Sequence, residues 1–256
     1  MPALLSLEHL EKRYGGDRGT LALQDMSLEV GVHDFVSLLG PSGCGKSTVL
    51  KMIAGLLPAT SGRIVWQAGA AESHADDIGF VFQEPTLMPW ASVFDNVWLP
   101  LRLEGVSRAA ALQRVNDALQ SVGLGDFADA MPRELSGGMK MRVSIARALI
   151  TRPRLLLMDE PFGALDEITR SRLNNDTLQL WQRHGFTTIF VTHSVFEAVF
   201  LSRRIVVMAA RPGRVLADIA IHEPYPRSEA FRHTARYGAW CAEVSAALHA
   251  ADEHHG

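Results

Sequence analysis

Residues 40–47 have the residue types and spacing of a phosphate-binding loop. Their sequence, Gly-Pro-Ser-Gly-Cys-Gly-Lys-Ser, matches the pattern G-x-x-x-x-G-K-[ST] at every position. The glycines permit backbone torsions and a close approach that side chains would block, so consecutive N–H groups can turn inward as an anion nest. We predict that the Lys46 ammonium contacts terminal phosphates and that the Ser47 hydroxyl ligates Mg²⁺. The alternative interpretation is an ordinary glycine turn that holds a surface lysine.

The elements expected on either side of this loop support the phosphate-binding interpretation. Residues 35–39 form a short apolar run typical of a buried strand, and residues 49–57 carry apolar residues at helical spacing before Pro58. A helix in that place would direct its positive N-terminal end at the phosphates. The predicted nucleotide-binding residues of this segment are Gly40, Pro41, Ser42, Gly43, Cys44, Gly45, Lys46, Ser47 and Thr48.

Cysteine chemistry is limited to two residues, Cys44 and Cys241. Two cysteines cannot form a disulfide framework or a four-ligand zinc site, and we expect a reducing, cytosolic setting. Cys44 lies inside the predicted nest, where N–H groups and a helix N-terminus favour a thiolate. We therefore expect a thiol reagent to modify Cys44 and to block nucleotide binding.

A second segment with chemical potential ends in two carboxylates. Four apolar residues, 155–158, precede Asp159 and Glu160. Parallel strands present their carboxyl ends to the ligand crevice, so both carboxylates are predicted beside the phosphate loop. There Asp159 would hold Mg²⁺, directly or through water, and Glu160 would act as general base for the attacking water. The alternative is a helix N-cap followed by an acidic residue in the first turn.

A third segment, Leu135-Ser-Gly-Gly-Met139, lies between the other two. Ser136 can cap a helix over residues 138–149, and the two glycines leave its first N–H groups open to an anion. A helix that was only capped would not need Gly-Gly. The segment resembles the signature motif of ATP-binding-cassette (ABC) ATPases, also in its order along the chain. This resemblance implies that Ser136, Gly137 and Gly138 contact a nucleotide held by a partner chain.

Further residues match the ABC family one by one. Tyr14 resembles the aromatic residue that stacks on adenine, and Gln83 resembles the glutamine that reaches Mg²⁺ and the attacking water. His193 resembles the switch histidine near the γ-phosphate, and Ala164-Leu-Asp166 resembles the loop that communicates across the dimer. The alternatives are a core aromatic residue for Tyr14, a polar strand end for Gln83 and a structural role for His193.

The resemblance covers residues 4–221 and implies a complete ATPase site. The implied catalytic residues are Glu160, His193 and Gln83, and the implied Mg²⁺ ligands are Ser47, Gln83 and Asp159. Two residues depart from the common family pattern, namely Met139 in place of Gln and Gly163 in place of Ser. Both leave Ser136 and Gly138 intact, so they affect tuning of the activity rather than its presence.

The implied fold class is α/β, a P-loop nucleoside triphosphatase of the ABC cassette type. We expect a mainly parallel core sheet, because helical stretches separate the apolar runs at 155–158, 188–191 and 205–208. Residues 4–30 predict an antiparallel strand pair in an N-terminal β subdomain, and residues 62–67 and 78–83 predict two further strands. The remaining predictions are a helical insertion at 84–150, a helix at 108–122 with Leu112, Val115 and Leu119 on one face, and a C-terminal surface helix and tail at 222–256.

Composition excludes several other classes of protein. Lys and Arg number 25 and Asp and Glu 28, a net charge of −3. The chain lacks the basic excess of a typical nucleic-acid binder, so no nucleic acid is expected as a partner. An apolar fraction of 47% excludes a disordered chain. The best apolar run, residues 205–210, is too short to span a membrane, and the N-terminus is not expected to be a signal peptide.

The family resemblance implies an ATP-hydrolysing importer subunit on the cytoplasmic face of the inner membrane. Two copies would close head to tail over two MgATP and move a separate permease, which is served by a periplasmic or lipid-anchored binding protein. The stretches 83–90, 159–166 and 190–213 resemble importers of nitrate, sulfonates and taurine. The alternatives are a pyrimidine or riboflavin importer, a soluble ABC ATPase acting on nucleic acid or ribosomes, and a module that binds ATP without turnover.

The stretch Leu87-Met-Pro-Trp90 is unusually apolar for a loop. We predict that it forms, with Phe94 and Trp98, part of a groove for a permease coupling helix. The alternative is that these side chains pack in the core of the helical insertion.

Overall fold

The computed structural model describes residues 2–15, 19–66 and 77–253. They divide between two units, of which the first comprises Met1–Ala75 and Gly185–Gly256 and the second Asp76–His184. Residue 67 of a predicted strand and the last residues of the predicted tail lie outside the described part of the chain.

The strands and helices follow one another in the order expected for an α/β protein. In chain order they are β1 (Ala3–Tyr14), β2 (Thr20–Gly31), β3 (Phe35–Leu39), α1 (Lys46–Ile53), β4 (Ser61–Trp66), β5 (Ile78–Val81), α2 (Val93–Leu103), α3 (Arg108–Ser121), α4 (Gly137–Leu149), β6 (Leu155–Asp159), α5 (Glu167–His184), β7 (Thr187–Val191), α6 (Val195–Leu201), β8 (Arg204–Ala209), β9 (Arg214–Ala220) and α7 (Ala235–Glu253).

The first unit contains an antiparallel sheet and a mainly parallel one. The antiparallel sheet has the order β2-β1-β4, which confirms the strand pair predicted for residues 4–30. In the second sheet β3 is central, with β7 and β8 parallel on either side and β9 antiparallel to β8. All five residues of β3 are buried, as expected for a strand covered on both faces.

The second unit combines a parallel strand pair, β5 and β6, with four helices. Helices α2, α3 and α4 pack on one another, as the predicted helical insertion requires. Helix α3 begins after the N-cap Ser107 and buries Ala111, Val115 and Leu119. The prediction for Leu112 was wrong, since its side chain is 50% exposed. Ala111, one position earlier, completes the buried row at a spacing of four.

The predicted C-terminal helix is present as α7, but one of its faces is buried. Tyr237, Cys241 and Val244 lie against the first unit, where α7 contacts α6, β8 and β9. The sequence predicted a surface helix because alanines on the other face leave little contrast between the two faces. The boundary at 221/222 between the ATPase domain and this segment stays a prediction, as do the limits of the insertion. None of the described helices is long and apolar enough to cross a membrane.

Candidate active site

The predicted phosphate loop connects the buried strand β3 with α1. A Cβ atom on Gly40 would lie 2.6 Å from the Met208 carbonyl oxygen and 2.7 Å from the Cys44 Sγ. The loop is therefore closely packed against β8. Gly45 has a φ of +93° and forms the N-cap of α1, so the first N–H groups of this helix are not occupied by a capping side chain. This combination of a tight loop and an uncapped N-terminus suits an anion.

Helix α1 spans Lys46–Ile53, whereas the sequence predicted a helix over residues 49–57. The helix therefore begins three residues earlier and ends four residues earlier than predicted. It starts at Lys46, inside the glycine motif, which brings Lys46 and Ser47 into its first turn. It ends at Ile53, because Gly55 has a φ of +70° and turns the chain out of the helix. The part of the prediction that covered residues 54–57 was therefore wrong.

Lys46 is buried and its ammonium lies across the loop. Nζ donates hydrogen bonds to the carbonyl oxygens of Gly40, at 2.8 Å, and Pro41, at 3.0 Å. The outer part of the loop, Ser42 and Gly43, is exposed. A fixed cation, an uncapped helix end and an open outer rim fit a bound polyphosphate. The alternative of a surface lysine on a glycine turn is wrong, because Lys46 is buried.

Cys44 contradicts the expectation of a reactive thiolate. Its side chain is completely buried, with Sγ beneath the loop near Gly40. Burial raises the pKa of the Cys44 thiol from its ordinary value of 9.0, and the nearby Lys46 ammonium lowers the pKa by less. The thiol is therefore protonated at neutral pH. The sequence prediction counted the N–H groups of the nest but not the burial of the sulfur atom.

His193 leaves the sheet beside the phosphate loop. Strands β3 and β7 are neighbours, with Leu38 level with Val191. The Thr192 N–H donates to the Leu38 carbonyl at 3.4 Å, and His193 follows as an exposed residue. The carboxyl ends of parallel strands meet at one edge of a sheet, so His193 and Gly40 emerge at the same edge.

Tyr14 is the last residue of β1, and its side chain is 45% exposed. The alternative that it packs in the core is therefore wrong. The Lys12 ammonium lies 5.3 Å from the centre of the ring, within the range of a cation–π interaction. An exposed aromatic ring at a strand end suits stacking on a planar group.

In the second unit, the strand register brings together Gln83 and the two carboxylates. Strands β5 and β6 pair in parallel with Val81 level with Met158. Gln83 lies two residues beyond the end of β5, and Glu160 is the first residue beyond the end of β6. Asp159 ends β6 and is buried, whereas Gln83 is exposed. An amide and two carboxylates are thus collected at one edge of this strand pair.

Glu160 adopts a backbone conformation that is uncommon for its residue type. Its φ is +49°, in the left-handed region, which costs about 1–3 kcal/mol for a residue other than glycine. The chain turns sharply there, and the Glu160 carbonyl accepts a hydrogen bond from the Gly163 N–H at 3.2 Å. Helix α5 begins only at Glu167, so the alternative of an N-cap with a first-turn acidic residue is wrong. Strain of this kind often accompanies a functional side chain.

Ser136 caps α4, as the sequence predicted. Its hydroxyl accepts a hydrogen bond from the Met139 N–H at 3.3 Å. A Cβ atom on Gly138 would lie 2.6 Å from the Thr169 Cγ2, so the first turn of α4 packs closely on α5. A Cβ atom on Gly137 would lie 3.4 Å from the Leu165 Cδ2, in ordinary contact. The glycines let the N-terminus of α4 lie against the residues that follow Glu160.

Asp166 lies in the same turn and is exposed. Its carboxylate accepts a hydrogen bond from the Thr169 N–H at 3.0 Å, and hydrogen bonds from Thr169 lower the pKa of Asp166. Arg170 donates to the carbonyl oxygens of Phe162 and Leu165 from inside the turn. These bonds hold the segment between β6 and α5 in one conformation.

Sequence reasoning missed three residues that position the site. Arg147 donates to the carbonyl oxygens of Pro85 and Thr86, both at 2.9 Å, and so holds the segment after Gln83. Asn96 is buried in α2 and bonds to the backbone of the loop that precedes this helix. Its side-chain oxygen accepts a hydrogen bond from the Met88 N–H at 2.8 Å. Neither residue has a local signal, because an Arg or Asn in a helix usually indicates a solvated face.

Gly213 is the third positioning residue. A Cβ atom on it would lie 2.0 Å from the Cys44 carbonyl oxygen and 3.0 Å from that of Ala22. Its backbone also exchanges hydrogen bonds with β2, from Gly213 N to Ala22 O and from Gln24 N to Gly213 O, each at 2.9 Å. The inner side of the phosphate loop therefore rests on the turn between β8 and β9.

The first unit carries a phosphate loop on a mainly parallel sheet, and the second unit carries two carboxylates and an amide at the ends of parallel strands. Both features are typical of a P-loop nucleoside triphosphatase. The model of the ABC transporter family matches residues 23–163, so the chain belongs to the ABC transporter ATP-binding family. The predictions of family, fold class and ATPase activity are thereby confirmed.

Relatives of known name match most of the chain. It is 49% identical over 205 residues to the taurine import ATP-binding protein TauB of Rhizobium johnstonii, covering 80% of this chain and 78% of that protein. It is 45% identical over 241 residues to the aliphatic sulfonates import ATP-binding protein SsuB of Yersinia pestis, covering 94% and 83%.

Solved structures share the fold. Clostridium perfringens cbiO1, part of the ABC transporter complex cbiONQ, has a TM-score of 0.77 and 28% identity, covering 91% of this chain and 94% of that one. A dimeric ATP-binding cassette in a post-hydrolysis state bound to ADP and Pi has a TM-score of 0.74 and 32% identity, covering 86% and 100%.

Proposed function

We propose that this ABC transporter ATPase drives the import of a small substrate of the sulfonate, taurine or nitrate class. The observation that carries the proposal is the identity of 45–49% with relatives named for taurine and sulfonate import. Two copies bind head to tail over two MgATP and act on separate permease subunits, which receive substrate from a periplasmic or lipid-anchored binding protein. The chain works at the cytoplasmic face of the inner membrane, where ATP is available.

The residues of the first unit bind ATP in this proposal. Tyr14 stacks on the adenine ring, and residues 40–48 hold the phosphates with their N–H groups and the Lys46 ammonium. His193 contacts the γ-phosphate from the neighbouring strand end. The buried Lys46 and the uncapped end of α1 support these roles.

The residues at the strand ends of the second unit carry out hydrolysis. Glu160 takes the proton of the attacking water, and Gln83 orients that water. Ser47, Gln83 and Asp159 would hold Mg²⁺, since hydroxyl, amide and carboxylate oxygens are the ligands it prefers. When bound, Mg²⁺ supplies neutralisation of charge on the phosphate oxygens. The parallel pairing of β5 and β6, which Gln83 and Glu160 follow, supports their joint role.

The capped N-terminus of α4 binds the nucleotide of the partner copy. Ser136, Gly137 and Gly138 supply its hydroxyl and N–H donors, and Asp166 communicates between the two copies. The dimeric cassette with ADP and Pi, which shares the fold, supports a two-copy arrangement.

The loop at residues 87–90 is proposed as part of the permease contact. Trp90 is 77% exposed, and Asn96 and Arg147 hold the loop that presents it. The prediction that Phe94 belongs to this surface was wrong, because Phe94 is buried inside the unit. Trp98 donates its Nε1 hydrogen to the Val106 carbonyl at 3.0 Å, which fixes its indole against its own unit.

Transport by the complete complex tests the proposed function. The chain is purified with the permease and binding protein encoded beside its gene, and the complex is placed in liposomes. ATPase stimulation and uptake are then measured with taurine, an alkanesulfonate, nitrate, hydroxymethylpyrimidine and riboflavin. Stimulation by one of the first three supports the proposal. Stimulation only by a pyrimidine or riboflavin establishes that alternative importer, and association with ribosomes or nucleic acid without a permease overturns import altogether.

A further inference from the structure

Helix α6, which follows His193 directly, is held along its length by side chains of the C-terminal segment, residues 222–253. The Tyr237 hydroxyl donates to the Phe196 carbonyl at 2.9 Å, near the start of the helix. The Tyr225 hydroxyl donates to the Leu201 carbonyl at 2.7 Å, at its end. The Phe196 carbonyl lies inside the helix, where it already accepts a backbone hydrogen bond, so the Tyr237 hydroxyl is an additional tie. The Leu201 carbonyl is among the last of the helix, which have no partner within it, so the Tyr225 hydroxyl satisfies it.

Arg227 makes the third and most extensive contact with α6. It is 6% exposed, and its Nη1 donates to the carbonyl oxygens of Val199 at 2.8 Å, Phe200 at 3.1 Å and Ser202 at 2.9 Å. The last carbonyls of a helix have no partners within the helix and carry partial negative charge. A buried guanidinium at this end satisfies them and fixes the position of the helix.

The position of α6 in turn determines the position of His193. Ser194, the next residue, is the N-cap of α6 and accepts a hydrogen bond from the Glu197 N–H at 3.3 Å. Thr192, the preceding residue, donates its hydroxyl hydrogen to the Glu197 carboxylate and accepts the Ser194 N–H at 3.0 Å. His193 is thus flanked in the chain by Thr192 and Ser194, both of which are hydrogen-bonded to the first turn of α6.

We propose that the C-terminal segment is a brace for α6, through which Tyr237 and Arg227 act as positioning residues for His193 during ATP hydrolysis. The inference rests on the proposed role of His193 near the γ-phosphate. Neither residue touches the phosphate loop in the first unit; each acts through the backbone of α6. Loosening either contact lets the turn at residues 192–194 shift and lowers the rate of hydrolysis, while ATP binding by residues 40–48 is preserved.

The substitutions Tyr237→Phe and Arg227→Lys test the brace. The first removes one hydroxyl, and the second removes most of the guanidinium donors but retains the charge. Arg236→Lys is the matched control, because Arg236 lies in the same segment and is exposed, and its guanidinium bonds to His222 and Glu223. We expect each test variant to lower kcat by roughly 3- to 10-fold with little change in KM for ATP, and the control to leave both unchanged.

A second measurement reads His193 without nucleotide. In histidine-labelled protein, the His193 ring signal is assigned by its disappearance in His193→Ala. We expect this signal to shift or broaden in Tyr237→Phe and to stay in place in Arg236→Lys. A role confined to stability would lower the unfolding temperature and leave the ring signal and kcat of the folded protein unchanged.

A double substitution tests whether Tyr237 acts through His193. If Tyr237 acts through His193, Tyr237→Phe should add no further loss of ATPase activity to His193→Ala. Three results would each overturn the proposed brace. They are an undiminished further loss of activity in the double variant, a His193 signal that does not move in Tyr237→Phe, and an unchanged kcat in folded Tyr237→Phe and Arg227→Lys. If His193→Ala alone hydrolyses ATP at the parent rate, the proposed role of His193 fails, and the brace fails with it. Should Arg227→Lys not fold, Tyr237→Phe decides the question.

Discussion

Gln83 follows β5 by two residues and Glu160 follows β6 directly, so both lie just beyond the carboxyl ends of two paired parallel strands. The left-handed φ of Glu160 turns the chain away directly after the strand, so the carboxylate belongs to the strand end and not to a helix. An amide that orients water beside a carboxylate that accepts its proton is the arrangement that water activation requires. Their common location follows from the parallel pairing of β5 and β6, which brings the carboxyl ends of both strands to one edge.

Glu160→Gln tests the proposed general base. The substitution preserves the shape of the side chain but removes its basicity, so ATP binding should persist while turnover falls by roughly 10²–10⁴-fold. Nucleotide binding and steady-state ATPase rates are measured on the same preparation. The control is Glu167→Gln, which changes an exposed carboxylate at the start of α5. Hydrolysis at the parent rate by Glu160→Gln would show that another residue is the base.

Gly213→Ala tests the support of the phosphate loop. Its Cβ would lie 2.0 Å from the Cys44 carbonyl oxygen, so the loop must move. Overpacking of this kind costs about 1–3 kcal/mol, and we expect ATP affinity to fall roughly 10-fold. Gly238→Ala is the control, because no atom lies within 4 Å of its added Cβ in α7. The control should stabilise the protein by up to about 1 kcal/mol through helix propensity and leave ATP affinity unchanged. Equal ATP affinity in both variants would show that Gly213 does not support the phosphate loop.

Trp90→Ser tests the permease contact. The indole is largely exposed, so its removal should leave folding and the basal ATPase of the isolated chain unchanged, but it should uncouple transport in the complex. The measurement is substrate uptake per ATP hydrolysed in liposomes. Leu103→Ser is the control, since Leu103 is also exposed but lies at the other end of α2. Normal coupling of uptake to ATP hydrolysis in folded Trp90→Ser would remove Trp90 from the permease interface.

The Cys44 thiol should react slowly with a maleimide at pH 7. Burial raises its pKa above the ordinary value of 9.0, so the reactive thiolate becomes abundant only above that pH, and the rate should rise steeply with pH. The unfolded chain ionises its thiols first, so this group also lowers the stability of the folded state as pH rises above about 9. MgATP should protect Cys44 from the maleimide, and ATP binding by Cys44→Ala should resist inhibition by this reagent.

Labelling sites are read by mass spectrometry after each exposure. Rapid labelling of Cys44 at pH 7 contradicts its burial in a protonated state. Inhibition that persists in Cys44→Ala would assign the effect to Cys241, whose pKa burial also raises.

A mixture of two inactive variants tests whether each ATP site is shared between copies. Lys46→Ala removes the ammonium from the phosphate loop, and Ser136→Arg removes the cap and blocks the N-terminus of α4. In a mixed head-to-tail dimer both lesions fall in one composite site, and the other site is intact. Mixing should restore ATPase activity, to at most about half of the parent rate per mixed dimer if the sites act independently.

Nucleotide trapping accompanies the rate measurement. One occluded nucleotide per verified mixed dimer supports sharing even when cooperativity hides the rate. No occluded nucleotide shows that each copy uses its own Ser136, because every site in the mixture would then carry one lesion.

Much of the site could be predicted because its chemistry is contiguous in the chain. The glycines, Lys46 and the strand before them form one local unit, so the fixed spacing of the motif carries the information. Ser136 could be predicted as a cap for the same reason, since a cap involves only the next three residues. The alternation of apolar runs with helical stretches likewise predicted a mainly parallel sheet.

Tertiary structure decided the features that depend on residues far apart in the chain. The protonated state of Cys44 follows from the packing of β8 and Gly213 beneath the loop, which no local pattern reveals. The common location of Gln83 and Glu160 follows from the parallel pairing of β5 and β6, which joins segments that are far apart in the chain.

The contact of Arg227 with the end of α6 is the clearest case of this division. In the sequence Arg227 is an ordinary basic residue in a segment that predicts a surface helix and tail. The folded chain places it against three helix carbonyls that need donors, where it is almost completely buried. The sequence by itself determined which chemistry this protein can perform, because motif residues are neighbours in the chain. Only the tertiary structure decided what holds those residues in place, because burial and hydrogen bonding join segments whose separation along the chain leaves no periodic signal.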